Sequence, residues 1–266
     1  MEKIFKEKIV LITGASSGIG AETAKQFAAL GATTLLIGRN EERLLRVSQE
    51  IKNGSGFSRY FVVDIGDYKA VNAIADKIKK EIGIPDIIIN NAGGGKWRFI
   101  EETEYEDVIS MIKAPFLGAF FITKAFMPDL LKRNSGHIIN MTSFAAMTPF
   151  SGATSYIASR MAMVGLHEAL TADLYQTNIT TSLAFFAKVE SPFWDHNPGS
   201  EERVPLAQKL IPIISVAEAA RAIIDGAIKR KRYITAPFMA KLVLFLRYLN
   251  PSLARYILKK TGYKRK

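Results

Sequence analysis

The stretch TGASSGIG, residues 13–20, decides the fold. It closes the β-branched run KIVLIT (8–13) and leads directly into an amphipathic stretch from 19 to 30. Glycines at 14, 18 and 20 let the backbone turn sharply, and the free amides and dipole at the start of the next helix favour an anion there. A strand, a glycine-rich turn and a helix start in that order argue for a pyrophosphate cradle rather than an empty turn.

Outward from this turn, short apolar runs alternate with longer amphipathic ones. KIVLIT (8–13), TTLLIG (33–38), RYFVVD (59–64), DIIINN (86–91), HIINMT (137–142), ITTSLAF (179–185) and RYITA (232–236) read as strands. Helical patterns fill 19–30, 41–52, 68–82, 104–133, 154–176 and 216–229. Near-continuous apolar strands linked by helices predict an α/β fold, a Rossmann-like doubly wound, seven-stranded parallel sheet. A chain of 266 residues, 48% apolar and without a Pro/Gly/Ser-rich linker, is read as one Rossmann-fold dinucleotide-binding and catalytic domain over 1–236, followed by a basic, apolar C-terminal helical extension over 237–266.

Composition excludes several function classes. With no cysteine, disulfides, thiolate catalysis and cysteine metal sites are ruled out. His137, His167 and His196 fall in no metal-ligand spacing, so no metal is expected. The net charge of +11 is unevenly placed: residues 229–266 hold twelve Lys/Arg and no Asp or Glu, which leaves the rest of the chain at −1. A near-neutral body with a basic tail is not a nucleic-acid-binding footprint. The first residues carry charges of both signs and enter a strand by Lys8, and no run of eighteen uncharged apolar residues occurs. A cytoplasmic protein without a targeting signal or a membrane span is the expectation.

The turn has three residues between its first two glycines and one between the last two, unlike the general dinucleotide fingerprint. In this the chain resembles the short-chain dehydrogenase/reductase family, and further motifs extend the likeness over roughly residues 7–236. NNAG (90–93) follows the fourth strand, where the family braces its sheet beside the cofactor. Asp64 closes the third strand, like the family's adenine-contacting aspartate. Ser143 and Tyr156, thirteen residues apart, match its catalytic serine and tyrosine. The resemblance implies a nicotinamide dinucleotide held by Gly14, Ser16, Ser17, Gly18, Ile19, Gly20, Arg39, Asp64, Ile65, Asn91, Ala92, Gly93, Tyr156, Arg160, Val189 and Ser191. It implies hydride exchange with a carbonyl or alcohol carbon.

Charge selects between the two cofactors. An acidic residue at the end of the second strand would bind the ribose hydroxyls of NAD, but Gly38 and Arg39 stand there. A guanidinium grips a 2′-phosphate with parallel hydrogen bonds, so NADP is expected over NAD; the alternative is a solvated cation at a helix start.

Three departures from the family pattern bear on the chemistry. A phenol is a poor base at neutral pH unless nearby positive charge stabilises its anion. The family usually supplies a lysine four residues after the tyrosine, and this chain has Arg160, which keeps the charge but does not release a proton in water. Pro115, thirteen residues before Pro128, occupies the place of an asparagine that supports a relay water. Phe186 and Ala187 replace a usual Pro-Gly, with two phenylalanines, Phe185 and Phe186, expected to reshape the pocket floor. A working but slowed oxidoreductase is preferred to a catalytically impaired or non-redox NADP-binding homologue, since holding the reacting carbons together supplies much of the rate.

Segments GGKWRF (94–99), FAAMTPFSGAT (144–154) and the loop from Phe193 to Pro212 are rich in aromatic and soft apolar side chains. Trp97, Phe99, Phe144, Met147, Phe150, Phe193 and Trp194 either line a pocket for a small hydrophobic substrate or pack the core or a subunit interface. FMAKLVLFLRYLN (238–250) is apolar almost all round and precedes a basic end. Two readings stay open: a helix pair in peripheral contact with the inner membrane face, or a cover over the substrate pocket or a dimer partner. A homodimer or homotetramer is expected.

Overall fold

The computed structural model describes residues 3–265. Its centre is a parallel seven-stranded sheet in the order β3-β2-β1-β4-β5-β6-β9. The strands are β1 (Ile9–Thr13), β2 (Thr33–Gly38), β3 (Phe57–Val62), β4 (Ile87–Asn90), β5 (Gly136–Met141), β6 (Ile179–Ala184) and β9 (Tyr233–Ile234). A small pair not expected from the sequence, β7 (Val189–Glu190) with β8 (Ile214–Ser215), lies outside this sheet.

The strands bury both faces because their residues are apolar on both. Within β1, Val10 and Ile12 join a core with Phe27, Leu36, Leu44 and Ile223, while Leu11 joins the opposite core with Leu35, Ile78, Ile122 and Phe126. Helices α1 (Gly18–Ala29), α2 (Glu41–Asn53) and α8 (Val216–Ile228) cover the first face. On the other lie α3 (Tyr68–Glu81) and a long helical stretch made of α4 (Tyr105–Ile112), a π turn at Lys113–Leu117, and α5 (Gly118–Arg133). Buried Pro115 sits inside the π turn; lacking an amide hydrogen, it cannot make the regular helical bond, and the widened turn accommodates the loss. By length and composition Tyr105–Arg133 could cross a membrane, but its Ile122, Phe126 and Leu130 are core residues of the sheet.

The strand order reverses between β1 and β4, which opens a crevice at their C-terminal ends. Asn91 braces it: its Nδ2 donates to the Thr13 and Gly14 carbonyls, and Thr13 Oγ1 accepts from the Asn91 and Ala92 amides at 3.0 Å each. After β5, Ser143 caps the short helix α6 (Phe144–Met147), and α7 (Thr154–Asp173) follows.

The extension after residue 236 is a helical hairpin of α9 (Phe238–Leu249) and α10 (Pro251–Thr261). Ala240, Val243 and Leu244 of α9 pack on Phe144, Leu183, Phe185 and Ile211 of the body.

Candidate active site

A cleft of about 620 Å³ opens at the crevice, and every expected site residue except Gly20 lines it. Gly20 stands behind the turn, where an added Cβ would fall 2.4 Å from the Gly14 carbonyl oxygen, so its part is close packing rather than contact. At the turn itself Gly14 has φ +67, and a Cβ there would lie 2.8 Å from Ala92 Cα.

Three further observations match this cleft to a dinucleotide. Ser17 is the N-cap of α1, yet its side chain makes no cap bond, leaving the first helical amides free. Arg39 and Arg43 both line the cleft, and neither enters an ion pair among the described residues. Buried Arg160 Nε has no hydrogen-bond partner. Arg43, which the sequence did not single out, sits in the first turn of α2, and its place four residues after Arg39, just past the end of β2, is a usable signal.

Asp64 lies at the mouth with both carboxylate oxygens engaged, Oδ1 by the Gly66 amide and Oδ2 by Lys113 Nζ, each at 3.0 Å. The lysine's hydrogen bond holds this carboxyl below the usual range.

On the other side of the cleft, Tyr156 is 6% exposed, with no hydrogen bond to its hydroxyl among the described residues. Ser143 Oγ accepts from the Ala145 amide at 3.2 Å, which leaves its own hydroxyl proton available to donate. Arg160 places its guanidinium carbon 5.0 Å from the Tyr156 ring centroid and donates from Nη2 to the Gly94 carbonyl at 3.2 Å. A Cβ on Gly93 would come 2.7 Å from Arg160 Nη2, so a side chain there would displace the guanidinium from this place.

An aromatic wall surrounds the tyrosine. Trp97 has its ring centroid 5.5 Å from Tyr156, 5.1 Å from Phe150 and 5.5 Å from Trp194, while Phe193 is 6.0 Å from Tyr156. The loop that carries Phe193 and Trp194 is tied down by the Trp97 amide on Ser200 Oγ and by Trp194 Nε1 on the Val189 carbonyl. Trp97 Nε1 is buried without a partner.

The seven pocket candidates divide. Trp97, Phe193 and Trp194 line the cleft, Phe99 and Phe150 line a second cavity, and Phe144 and Met147 pack in the core beneath α9. The expected pair of floor phenylalanines is corrected likewise: Phe186 lines the cleft, while Phe185, on the other side of the strand end, joins the core with Phe144 and Ile211. His196 and Asn197 also line the cleft and came from an irregular loop with no periodic signal. Lys96 pairs with Asp107 at 2.9 Å. No residue of α9 or α10 lines the cleft, so the hairpin does not cover it.

The fold and cleft define a nucleotide-binding α/β protein with a buried tyrosine, Tyr156, lining the cleft. Residues 8–199 match the short chain dehydrogenase family, and the chain belongs to it. It is 30% identical over 254 residues to human 17-beta-hydroxysteroid dehydrogenase 13, covering 94% of this chain and 82% of that one. A fatty acyl-CoA reductase of Acinetobacter baylyi is 30% identical over 240 residues, covering 88% and 79%. The fold superposes on a short chain dehydrogenase/reductase of Burkholderia phymatum in complex with NAD with TM-score 0.83 at 23% identity, covering 98% and 99%.

Proposed function

We propose that this chain is an NADP-dependent carbonyl reductase or alcohol dehydrogenase for a hydrophobic substrate. The observation that carries the reading is Tyr156, almost fully buried, lining one cleft with Ser143, Arg160 and the free amides of α1, and walled by Trp97 and Phe193.

Bound NADPH supplies the hydride. Tyr156 gives its phenolic proton to the carbonyl oxygen as that oxygen gains charge, and the Ser143 hydroxyl donates a hydrogen bond to the same oxygen. Arg160 keeps positive charge beside the phenolate that remains, and its spare Nε–H is available to a cofactor hydroxyl. Arg39 and Arg43, which line the cleft, would hold the 2′-phosphate, while Gly14, Ser16, Ser17, Gly18 and Ile19 would cradle the pyrophosphate. Asp64 and Ile65 would border the adenine, Asn91, Ala92 and Gly93 would stand beside the cofactor, and Val189 and Ser191 would face the carboxamide, all of them lining the cleft. Trp97, Phe193 and Trp194 exclude water and bind an apolar body. Steroid and fatty-acyl chemistry in the names of two relatives supports that substrate class.

The same reading includes peripheral membrane contact through the hairpin. Phe238, Leu242, Phe245, Leu246 and Leu249 form an exposed stripe at helical spacing on α9, and Leu253, Tyr256 and Ile257 continue it on α10. It includes self-association too, supported by exposed Val108, Ile109 and Phe120 on the long helical stretch and Met161 on α7, which packs beside it.

A screen of purified protein with NADPH against long-chain and steroidal ketones tests the core reading. Consumption of NADPH with at least one such ketone is the expected result. NADPH binding without turnover on any of them would instead favour the impaired-homologue reading.

A further inference from the structure

We infer that the cavity beneath α10 binds an amphipathic ligand, its anionic, phosphate-type end on the cations of the cavity and its apolar chain on the walls formed by Phe99, Phe150, Leu258 and Tyr263.

A second cavity of about 490 Å³ lies between α10 and the segments carrying Phe99 and Pro149–Ser151. Leu253, Tyr256 and Ile257 point outward on α10, and Arg255, Leu258 and Lys259, on the opposite side of the helix, line the cavity. Lys264 and Arg265 close it from the chain end. Four cations therefore converge on one space.

Carboxylates neutralise few of them. Glu101 pairs with Arg265 and Glu102 with Arg203, but Arg255, Lys259 and Lys264 enter no ion pair among the described residues. Positive charge gathered around a concave site without matching carboxylates favours an anion, and guanidinium and ammonium donors together suit phosphate oxygens.

The rest of the lining argues against a bare ion. Phe99, Phe150, Leu258 and Tyr263 give the cavity apolar walls. Phe150, on the wall of this cavity, packs on Trp97, which lines the Tyr156 cleft, so these two rings stand between the two spaces and the ligand's chain stays within this one. A ligand with a charged end and an apolar chain fills both environments, where inorganic phosphate would fill one.

The test is calorimetric titration of the full chain, saturated with NADPH so that the arginines of the nucleotide cleft are occupied. The probes are dodecyl phosphate below its micelle concentration, dodecanol and inorganic phosphate. Dodecyl phosphate should bind at least about tenfold more tightly than either other probe, and Arg255→Glu with Lys259→Glu should remove that advantage while leaving NADPH affinity and dodecanol binding unchanged. Arg255→Lys with Lys259→Arg should retain it. Leu242→Ser with Phe245→Ser, on the outer face of the hairpin, should also retain it. Equal dodecyl phosphate affinity in wild type and the charge-reversed variant overturns the inference, as does loss in the outer-face variant alone, which would mark adsorption to the apolar stripe. Failure of NADPH to bind in the same experiment would count against the oxidoreductase reading, whereas normal NADPH binding with no preference for dodecyl phosphate sinks only the cavity assignment.

Discussion

The guanidinium of Arg160 lies across the face of Tyr156, 5.0 Å from the ring centroid, in a space that a side chain on Gly93 would close. The cation thus stays beside the phenol even though the residue is not the family's usual lysine. If Tyr156 is the proton donor, Tyr156→Phe lowers turnover by at least about a hundredfold, the range of a lost general acid, with NADPH affinity kept. Arg160→Lys keeps or raises turnover. Full activity of Tyr156→Phe on a verified substrate would remove the proposed mechanism.

Arg39 and Arg43 line the nucleotide cleft without carboxylate partners. Removing a charge-assisted hydrogen bond costs about 1.5–3 kcal/mol, so Arg39→Ala should weaken NADPH binding roughly ten- to a hundredfold and NADH binding little. Fluorescence titration with both cofactors measures this, and equal affinities for the two in the wild type would defeat the preference.

Burial pushes the pKa of His137 and His167 down to about 4. The unfolded chain takes up these protons near 6.5, so it binds more protons than the folded chain between about 6.5 and 4, and stability falls as pH drops through that window. Above it neither histidine contributes a slope. His137 Nε2 is 2.7 Å from Ser182 Oγ, whose own proton goes to the Lys231 carbonyl at 2.6 Å, so His137 donates and is held as the Nε2–H tautomer. Urea melts from pH 8 to 4.5 should show the decline, and His137→Gln should flatten it by up to about 1.4 kcal/mol per pH unit. An unchanged slope in that variant would mean that other groups govern the acid limb.

The outer stripe of the hairpin joins apolar side chains to a segment rich in cations. Each basic residue near an anionic surface contributes about 1 kcal/mol, and the attraction fades with salt. A second copy docking on the same stripe would instead bring like charges together. Full-length protein should therefore co-sediment with phosphatidylserine vesicles at low salt, less at high salt, and weakly after Leu242→Ser with Phe245→Ser. Indifference to anionic vesicles at low salt would rule out the membrane contact.

The sequence by itself determined the sheet, the order of its seven strands along the chain, the nucleotide turn and most of the residues that line its cleft, though not Arg43, His196 or Asn197. Those features are local: short β-branched apolar runs between turns mark strands buried on both faces, and a glycine-rich turn can close only in a few ways, so TGASSGIG carried its structure in its own backbone preferences. The tetrad's altered positions were legible as residue types, but what they do was not. The π turn around Pro115 depends on where a missing amide can be accommodated in a long packed helix. Likewise the stacking of Arg160 on Tyr156 depends on room left by Gly93, sixty-odd positions away. Tertiary structure also divided aromatic residues of one composition among three environments, sending Trp97 to the cleft, Phe150 to the second cavity and Phe144 to the core. Hydrophobicity is non-directional, so it says that such side chains leave water and not which neighbour they meet. For the same reason only the packed hairpin could show that α9 buries Ala240, Val243 and Leu244 while leaving Phe245 and Leu246 outside, a distinction that a helix apolar almost all round does not carry in its sequence.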